Sequence, residues 1–408
     1  MRTSSEVVVV RPGQALPDWW HASVFLAGPA GGPDELLPWQ HEAVALLGRR
    51  WAGPGRLAVF VPELDISHEV PSTPGTAAPT DPTDWLDARV GQADVILFWG
   101  AGDPTPLSQA VTHLLWGRCE NTGRAVLGLP ADDRTGRYLR GRAERRRIPV
   151  AETLESTVGH AVDRITPGAR RDGPHRDVPL TLWRTDSFRH WLDVKESSGH
   201  RLQQAQLAWN LPPRRHGGVF LWAVRPHLLI NEENRVKKNE IVLGRTDVTS
   251  MVAYRTGSDL LETEIALVRE FRSPAATTDG YVHELPGGSQ RDDAPPAQIA
   301  AAEFGEETGL PLDPARLRYH GARQPVAALC AHRQHLFSAE LDAAEVARLR
   351  TTVGTFGLAD EGERTTVEVL TYRQILTGGL VDWTTLGLLS MAFVDIFGRP
   401  GVDLPLPA

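Results

Sequence analysis

Cysteine is nearly absent from this 408-residue chain: Cys119 and Cys330 are the only two, far apart and without a CxxC pair. That excludes a disulfide framework and a structural zinc site of the usual cysteine spacing, and it fits a reducing, cytoplasmic compartment. Long apolar runs are missing as well. No stretch of 18 apolar residues occurs, so no membrane-spanning helix and no membrane partner are expected, and the apolar run in MRTSSEVVVVRPGQ is too short for a signal peptide. Positive charge is in deficit, 43 Lys and Arg against 51 Asp and Glu for a net charge of −8, which argues against bulk nucleic-acid binding. Internal repeats and low-complexity tracts are also lacking, apart from the Pro/Thr-rich insert Val70–Pro82, which reads as an exposed loop. What remains is a chain with 41% apolar residues, ample for burial, and longer than one core usually supports. Two soluble α/β domains are expected.

In the first third, Val24–Pro29 (VFLAGP), Val59–Leu64 (VFVPEL), Ala93–Trp99 (ADVILFW) and Ala125–Pro130 (AVLGLP) are short apolar runs without alternation, separated by segments long enough for helices. Such runs predict a parallel sheet covered on both faces. Thr166–Val178 (TPGARRDGPHRDV), rich in Pro, Gly and charge, predicts a linker, giving domains 1–165 and 179–408. After it come a helical segment around Phe188–Ala208 and strands over Gly218–Ile230 and Ile241–Tyr254. Lys237, Lys238 and Arg245 lie among these strands, where charged hairpin ends are the commoner explanation and a phosphate contact the alternative. Arg134–Arg147 carries seven arginines and reads as a solvated helical face, with a phosphate or RNA patch as the alternative. Trp383–Phe397 has helical periodicity suited to packing on a sheet.

The segment LPGGSQRDDAPPAQIAAAEFGEETGL, Leu285–Leu310, carries the most chemistry. A helix over Pro295–Thr308, with Asp293 as N-cap and the two prolines in its first turn, places Glu303 and Glu307 four apart on one face with Glu306 beside them. Three like charges crowded on one patch are unfavourable unless a cation neutralises them. Mg²⁺ suits such a site, because it prefers carboxylate and phosphate oxygens and needs few protein ligands. Gly287 and Gly288 before the helix allow a tight turn close to a ligand, and Gly309 caps its end. A solvated acidic surface face is the alternative reading of the same residues.

The segment resembles the Nudix box, in which G, five residues, E, seven residues, R, E, an apolar residue, any residue, E, E, any residue, G and an apolar residue follow one another. Gly288, Glu303, Phe304, Glu306, Glu307, Gly309 and Leu310 match it, whereas Ala294 stands at the first glutamate and Ala302 at the arginine. The flanks, EIALVREFRSP over Glu264–Pro274, then HELPGG, then QHLFSAEL over Gln334–Leu341, resemble the ADP-ribose pyrophosphatase branch. The resemblance implies an α/β/α Nudix fold with a small N-terminal β extension, which often supports a homodimer in that branch. It also implies Mg²⁺ or Mn²⁺ held by Glu303, Glu306, Glu307 and the Gly288 carbonyl, and a small-molecule nucleotide substrate. Substrate binding falls to Arg269, Arg272 and Glu284, with pairing of the arginines to surface carboxylates as the alternative, and catalysis to Glu306, Glu307 and Glu363. Glu363 stands with Asp360 and Glu361 in the acidic segment LADEGERT, where the family's general base often lies. Joint loss of the box arginine and first glutamate removes an orienting clamp without leaving a charge unpaired. Before QHLFSAEL the chain reads ALCAHR where a serine-rich loop is expected, and His332 falls where an acidic residue is common.

Residues 22–165, from VFLAGP through ADVILFW to RYL at Arg137–Leu139 and ETLEST at Glu152–Thr157, resemble the nucleoside 2-deoxyribosyltransferases, which implies a flavodoxin-like parallel-sheet domain. Here the family's chemistry is not retained: Thr112 stands at the nucleophilic glutamate and Leu86 at the leaving-group acid, and neither Asp103 nor Glu120 has the spacing to replace them. The expectation is a nucleoside-binding or scaffolding domain joined to a Mg²⁺-dependent hydrolase. Two other readings stay open: a non-enzymatic nucleotide sensor, and N-glycoside hydrolysis or deoxyribosyl transfer by the first domain.

Overall fold

The computed structural model describes residues 5–32, 36–63, 82–100, 105–131, 136–211, 219–289, 294–357 and 363–398. Asp103, Asp293, Asp360, Glu361, Arg134 and nearly all of the Val70–Pro82 insert lie outside them. The chain forms two compact units, Met1–Arg245 and Thr246–Ala408.

The first unit is built on a six-stranded parallel sheet in the order Glu6–Val10, Arg56–Phe60, Ala22–Ala27, Val95–Trp99, Ala125–Gly128, Val150–Ala151. Every residue of the strands Ala22–Ala27, Val95–Trp99 and Ala125–Gly128 is buried, which is why these runs show no alternation. Trp20, Phe25, Phe60, Phe98 and Trp116 fill one side of the sheet. The amphipathic helix Leu154–Ile165, capped by the Thr153 hydroxyl, which accepts the Ser156 N–H, packs against the strands Val95–Trp99 and Ala125–Gly128 and the helix Pro38–Arg50.

Three expectations are corrected here. Residues 166–178 are not a linker: Arg171–Asp172 pairs with Trp19–Trp20, and Gly173–Asp177 forms a short 3₁₀ helix. The physical reason is Asp94, at the start of a central strand, whose carboxylate accepts two bonds from the Arg171 guanidinium (2.7 and 2.6 Å) and the N–H groups of Ser23 and Leu180 (2.7 Å each). Both side chains are wholly buried, so the segment is fastened to the sheet by a fully satisfied ion pair. The helical segment expected to reach Ala208 ends at Ser197, where Gly199 at φ 83° breaks it, and Arg201–Leu211 is a strand. That strand pairs with Leu221–Ile230, which also pairs with Arg235–Lys237 and Val242–Arg245. This β extension belongs to the first unit. Asn210 donates to the Thr122 carbonyl (2.9 Å), the Ala205 N–H reaches Asp177, and Trp222 packs edge-on against Phe188.

The second unit has a mixed sheet in the order Tyr281–Glu284, Glu264–Phe271, Val248–Arg255, Gln334–Glu340, Arg318–Arg323, with Thr366–Thr371 also paired to Glu264–Phe271. Val248–Arg255 and Gln334–Glu340 run parallel, and the remaining pairs are antiparallel. Alternation divides Val248–Arg255 between two cores. Met251 and Ala253 pack with Phe304, Leu310 and Leu312 around the helix Pro296–Thr308, while Val252 and Tyr254 pack with Leu389 and Phe393 of the helix Trp383–Phe397. The box helix starts at Pro296, needs no N–H in its first turn there, and stops where Gly309 takes the left-handed conformation at φ 70°. Among the described residues no helix is long and apolar enough to cross a membrane.

Candidate functional site

Burial of the Phe304 ring against the sheet sets the rotation of the box helix, and with it the direction of the glutamates. Glu303 and Glu307 are buried, at 6% and 8% exposure, and both face the Gly287–Gly288 turn that leaves the strand Tyr281–Glu284. Glu307 Oε2 accepts the Gly287 N–H at 2.9 Å. A Cβ on Gly287 would fall 2.0 Å from the backbone Thr249 oxygen, so glycine is needed there, and one on Gly288 would displace the Glu303 carboxylate. The Gly288 carbonyl, expected as a metal ligand, accepts the Thr249 N–H at 2.8 Å, which anchors the turn to the neighbouring strand.

Two carboxylates from elsewhere join this pair. Glu270, buried on the strand Glu264–Phe271, and Glu363 both act electrostatically on Glu307. Burial first, then the charges of Glu303, Glu363 and Glu270, push the Glu307 carboxyl up to about 8, although its bond from Gly287 works the other way. Burial likewise raises Glu270, opposed by Arg272 and reinforced by Glu284 and Glu363. Arg272 reaches Glu270 at 2.9 Å and Glu284 at 2.6 Å. Burial disfavours its charge, yet the bond to Glu284 and the charges of Glu284, Glu270 and Glu307 together keep Arg272 more basic than usual. Arg272 and Glu284 therefore form a charged flank to the acidic pair, and the alternative of pairing to carboxylates describes Arg272.

Two expected residues stand apart from this group. Glu306 is exposed and borders a shallow cavity of about 480 Å³ lined by Ala301, Ala302, Gly305, Pro311 and Leu312, rather than joining Glu303 and Glu307. Arg269 is one residue out of phase with Glu270 along its strand, bonded to Asp279 at 2.6 Å and placed over the Tyr281 ring at 4.0 Å. Glu270 escaped the reading of the sequence. Its signal was a charge at an inward position of the alternating strand EIALVREF.

Among the described residues no three or more His, Cys, Asp or Glu side chains are arranged to hold a metal ion. The donor chemistry nonetheless suits a hard divalent cation: two buried carboxylates one helical turn apart beside a tight glycine turn. Such an ion would remove the repulsion that holds the Glu307 proton.

A second polar chain in this unit has the look of a nucleophile, a base and an acid. Ser338 Oγ lies 2.7 Å from His320 Nε2, and His320 Nδ1 lies 2.6 Å from Asp395. Ser338 and His320 are buried, so the chain ties the sheet to the helix Trp383–Phe397, an attachment that Arg318 reinforces by bonding Asp395 at 2.8 Å.

In the first unit, strand order reverses between Ala22–Ala27 and Val95–Trp99, and the crevice outside such carboxyl ends is where open α/β sheets bind ligands. Trp39 occupies that position, lying over Gly28 and donating to the Pro29 carbonyl at 2.8 Å. The Thr112 hydroxyl donates to the Ser108 carbonyl at 2.8 Å within its own helix, Leu86 belongs to the core, and Glu120 is buried against Arg142. None of the three is presented for catalysis. No family model matches the chain, and no curated protein matches it in sequence.

Proposed function

We propose that the second unit is a Nudix-type hydrolase, dependent on Mg²⁺ or Mn²⁺, that cleaves the phosphoanhydride of a nucleoside diphosphate linked to a second group. ADP-ribose and nucleotide sugars are the substrates to test first. The observation that carries this reading is the buried pair Glu303 and Glu307 against the Gly287–Gly288 turn, where burial and the charge of Glu303 push the Glu307 carboxyl up. Bound there, a divalent ion would neutralise phosphate charge and lower the pKa of a water. The chain's own residues would do the rest: Glu303 and Glu307 would hold the ion, Arg272 would hold Glu270 and Glu284 in place, and Glu363, whose charge acts on Glu307, would orient or accept a proton from the attacking water.

For the first unit we propose a flavodoxin-like, deoxyribosyltransferase-related domain that binds a nucleoside-like ligand or serves as a scaffold. In support, its strands after Glu6–Val10, numbered along the chain, follow the order 2-1-3-4-5. Proposed cytoplasmic residence follows from the cysteine content.

A second reading, a nucleotide sensor without turnover, draws on the hydrogen-bonded Thr112 and on the lack of three converging ligands among the described residues. Hydrolysis of a panel containing ADP-ribose, NAD, nucleotide sugars and nucleoside triphosphates, with Mg²⁺ or Mn²⁺, separates the two. Metal-dependent turnover that collapses in Glu307→Gln supports the hydrolase. Binding of a panel member without turnover by either protein supports the sensor.

A further inference from the structure

The helix Arg137–Arg146 of the first unit is poorly explained by its own stability. From Arg137 to Arg147 there are six arginines, no lysine and one acidic residue, Glu144. Three arginines are engaged internally: Arg140 bonds the Leu129 carbonyl, Arg142 pairs with Glu120, and Arg146 stands 3.9 Å from the same carboxylate. Arg137 and Arg145, both exposed and two turns apart on one face, contact no carboxylate among the described residues.

Three features work against the helix. Arg137 opens it, where the macrodipole is positive and cations are disfavoured. Like charges one turn apart, as at Arg137 and Arg140, repel. Gly141 sits mid-helix between Arg137 and Arg145, although a Cβ there would meet nothing within 4 Å, so packing does not require the residue that is the poorest helix former after proline. Beside this ridge Tyr138 is 65% exposed, with the Arg142 guanidinium 5.9 Å from its ring centre.

A ligand that supplies closely spaced anions and a flat ring accounts for all of these together. Guanidinium groups engage phosphate oxygens in pairs, a glycine gap lets a backbone approach, and an exposed aromatic stacks a base. We propose that the face formed by Arg137, Tyr138, Gly141 and Arg145 docks single-stranded nucleic acid through its phosphodiester backbone, without reading sequence. The net charge of −8 does not oppose this, because distant charges are screened within about 8 Å at physiological salt.

The test is fluorescence anisotropy of a labelled mixed-sequence oligonucleotide titrated with the full chain between 50 and 200 mM salt, with unlabelled poly-glutamate and a duplex of equal length as competitors. The wild type should bind more weakly as salt rises. Arg137→Glu/Arg145→Glu should bind at least tenfold more weakly, with a log–log salt slope smaller by about two. Gly141→Ala, which should raise helix stability, should lower affinity several-fold, and Tyr138→Ala should remove the preference for strand over duplex. An unchanged salt slope in the double variant, no binding by the wild type at 50 mM salt, or equal competition by poly-glutamate would overturn the proposal. Thermal midpoints of the variants equal to or above that of the wild type separate lost binding from lost fold.

Discussion

Removing the charge of Glu307 should make the metal-free protein more stable at pH 8, the reverse of what deleting a paired residue does. The carboxyl is pushed from 4.5 up to about 8 in the folded state. Because the folded pKa exceeds the unfolded one, the folded chain binds more protons between these values, and stability falls as pH rises through them. Below about 4.5 both states are protonated and the contribution is constant. The shift converts at about 1.4 kcal/mol per pH unit to a ceiling of about 5 kcal/mol, and relaxation around the charge makes about 2–3 kcal/mol the working figure. Glu307→Gln keeps the shape and the acceptor for the Gly287 N–H without the charge. Thermal unfolding in chelator at pH 5, 6.5 and 8 should show the wild type losing stability across this window and the variant nearly flat. For a unit of this size the difference at pH 8 corresponds to roughly 4–12 °C in the transition of the second unit. Parallel pH profiles for the two proteins would refute the reasoning.

Other variants probe the remaining links. Arg171→Ala leaves Asp94 buried and uncompensated, so the first unit should lose about 3–5 kcal/mol in urea unfolding; a loss below about 1 kcal/mol would show that the segment 166–178 is not fastened by this pair. Arg272→Ala should cost about 1–2 kcal/mol, discounted because its side chain is 44% exposed, and Arg272→Lys should restore part of it, as read by urea unfolding of the second unit. Thr112→Val should leave the first unit's stability within about 0.5 kcal/mol and its chemistry unchanged, since the hydroxyl serves only its own helix. Release of free base from nucleosides by the wild type, abolished in that variant, would contradict this.

Local patterns carried much of the architecture. Apolar runs without alternation marked four parallel strands, the prolines and Gly309 bounded the box helix, and the periodicity of Trp383–Phe397 bounded the last helix. Long-range pairing was illegible. Nothing near Thr166–Val178 reveals that Arg171 meets Asp94 in the middle of the chain's first sheet, so polar composition suggested a linker. The helix expected to Ala208 ran too far because the Ser-Ser-Gly stop was outweighed by the residues beyond it. At the candidate site, spacing brought Glu303 and Glu307 together, but helical spacing alone cannot tell that Phe304 turns Glu306 to the exposed rim. Glu270 comes from a strand more than thirty residues away, and only the sheet brings it beside Glu307.

The central claim is that Glu303 and Glu307 form a divalent-cation site, and Mn²⁺ binding followed by electron paramagnetic resonance at pH 8 tests it most directly. One Mn²⁺ per chain in the wild type, displaced by Mg²⁺ and bound at least tenfold more weakly by Glu303→Gln and Glu307→Gln, is the expected result. Absence of bound Mn²⁺ in the wild type, or affinity unchanged in both variants, would contradict the account.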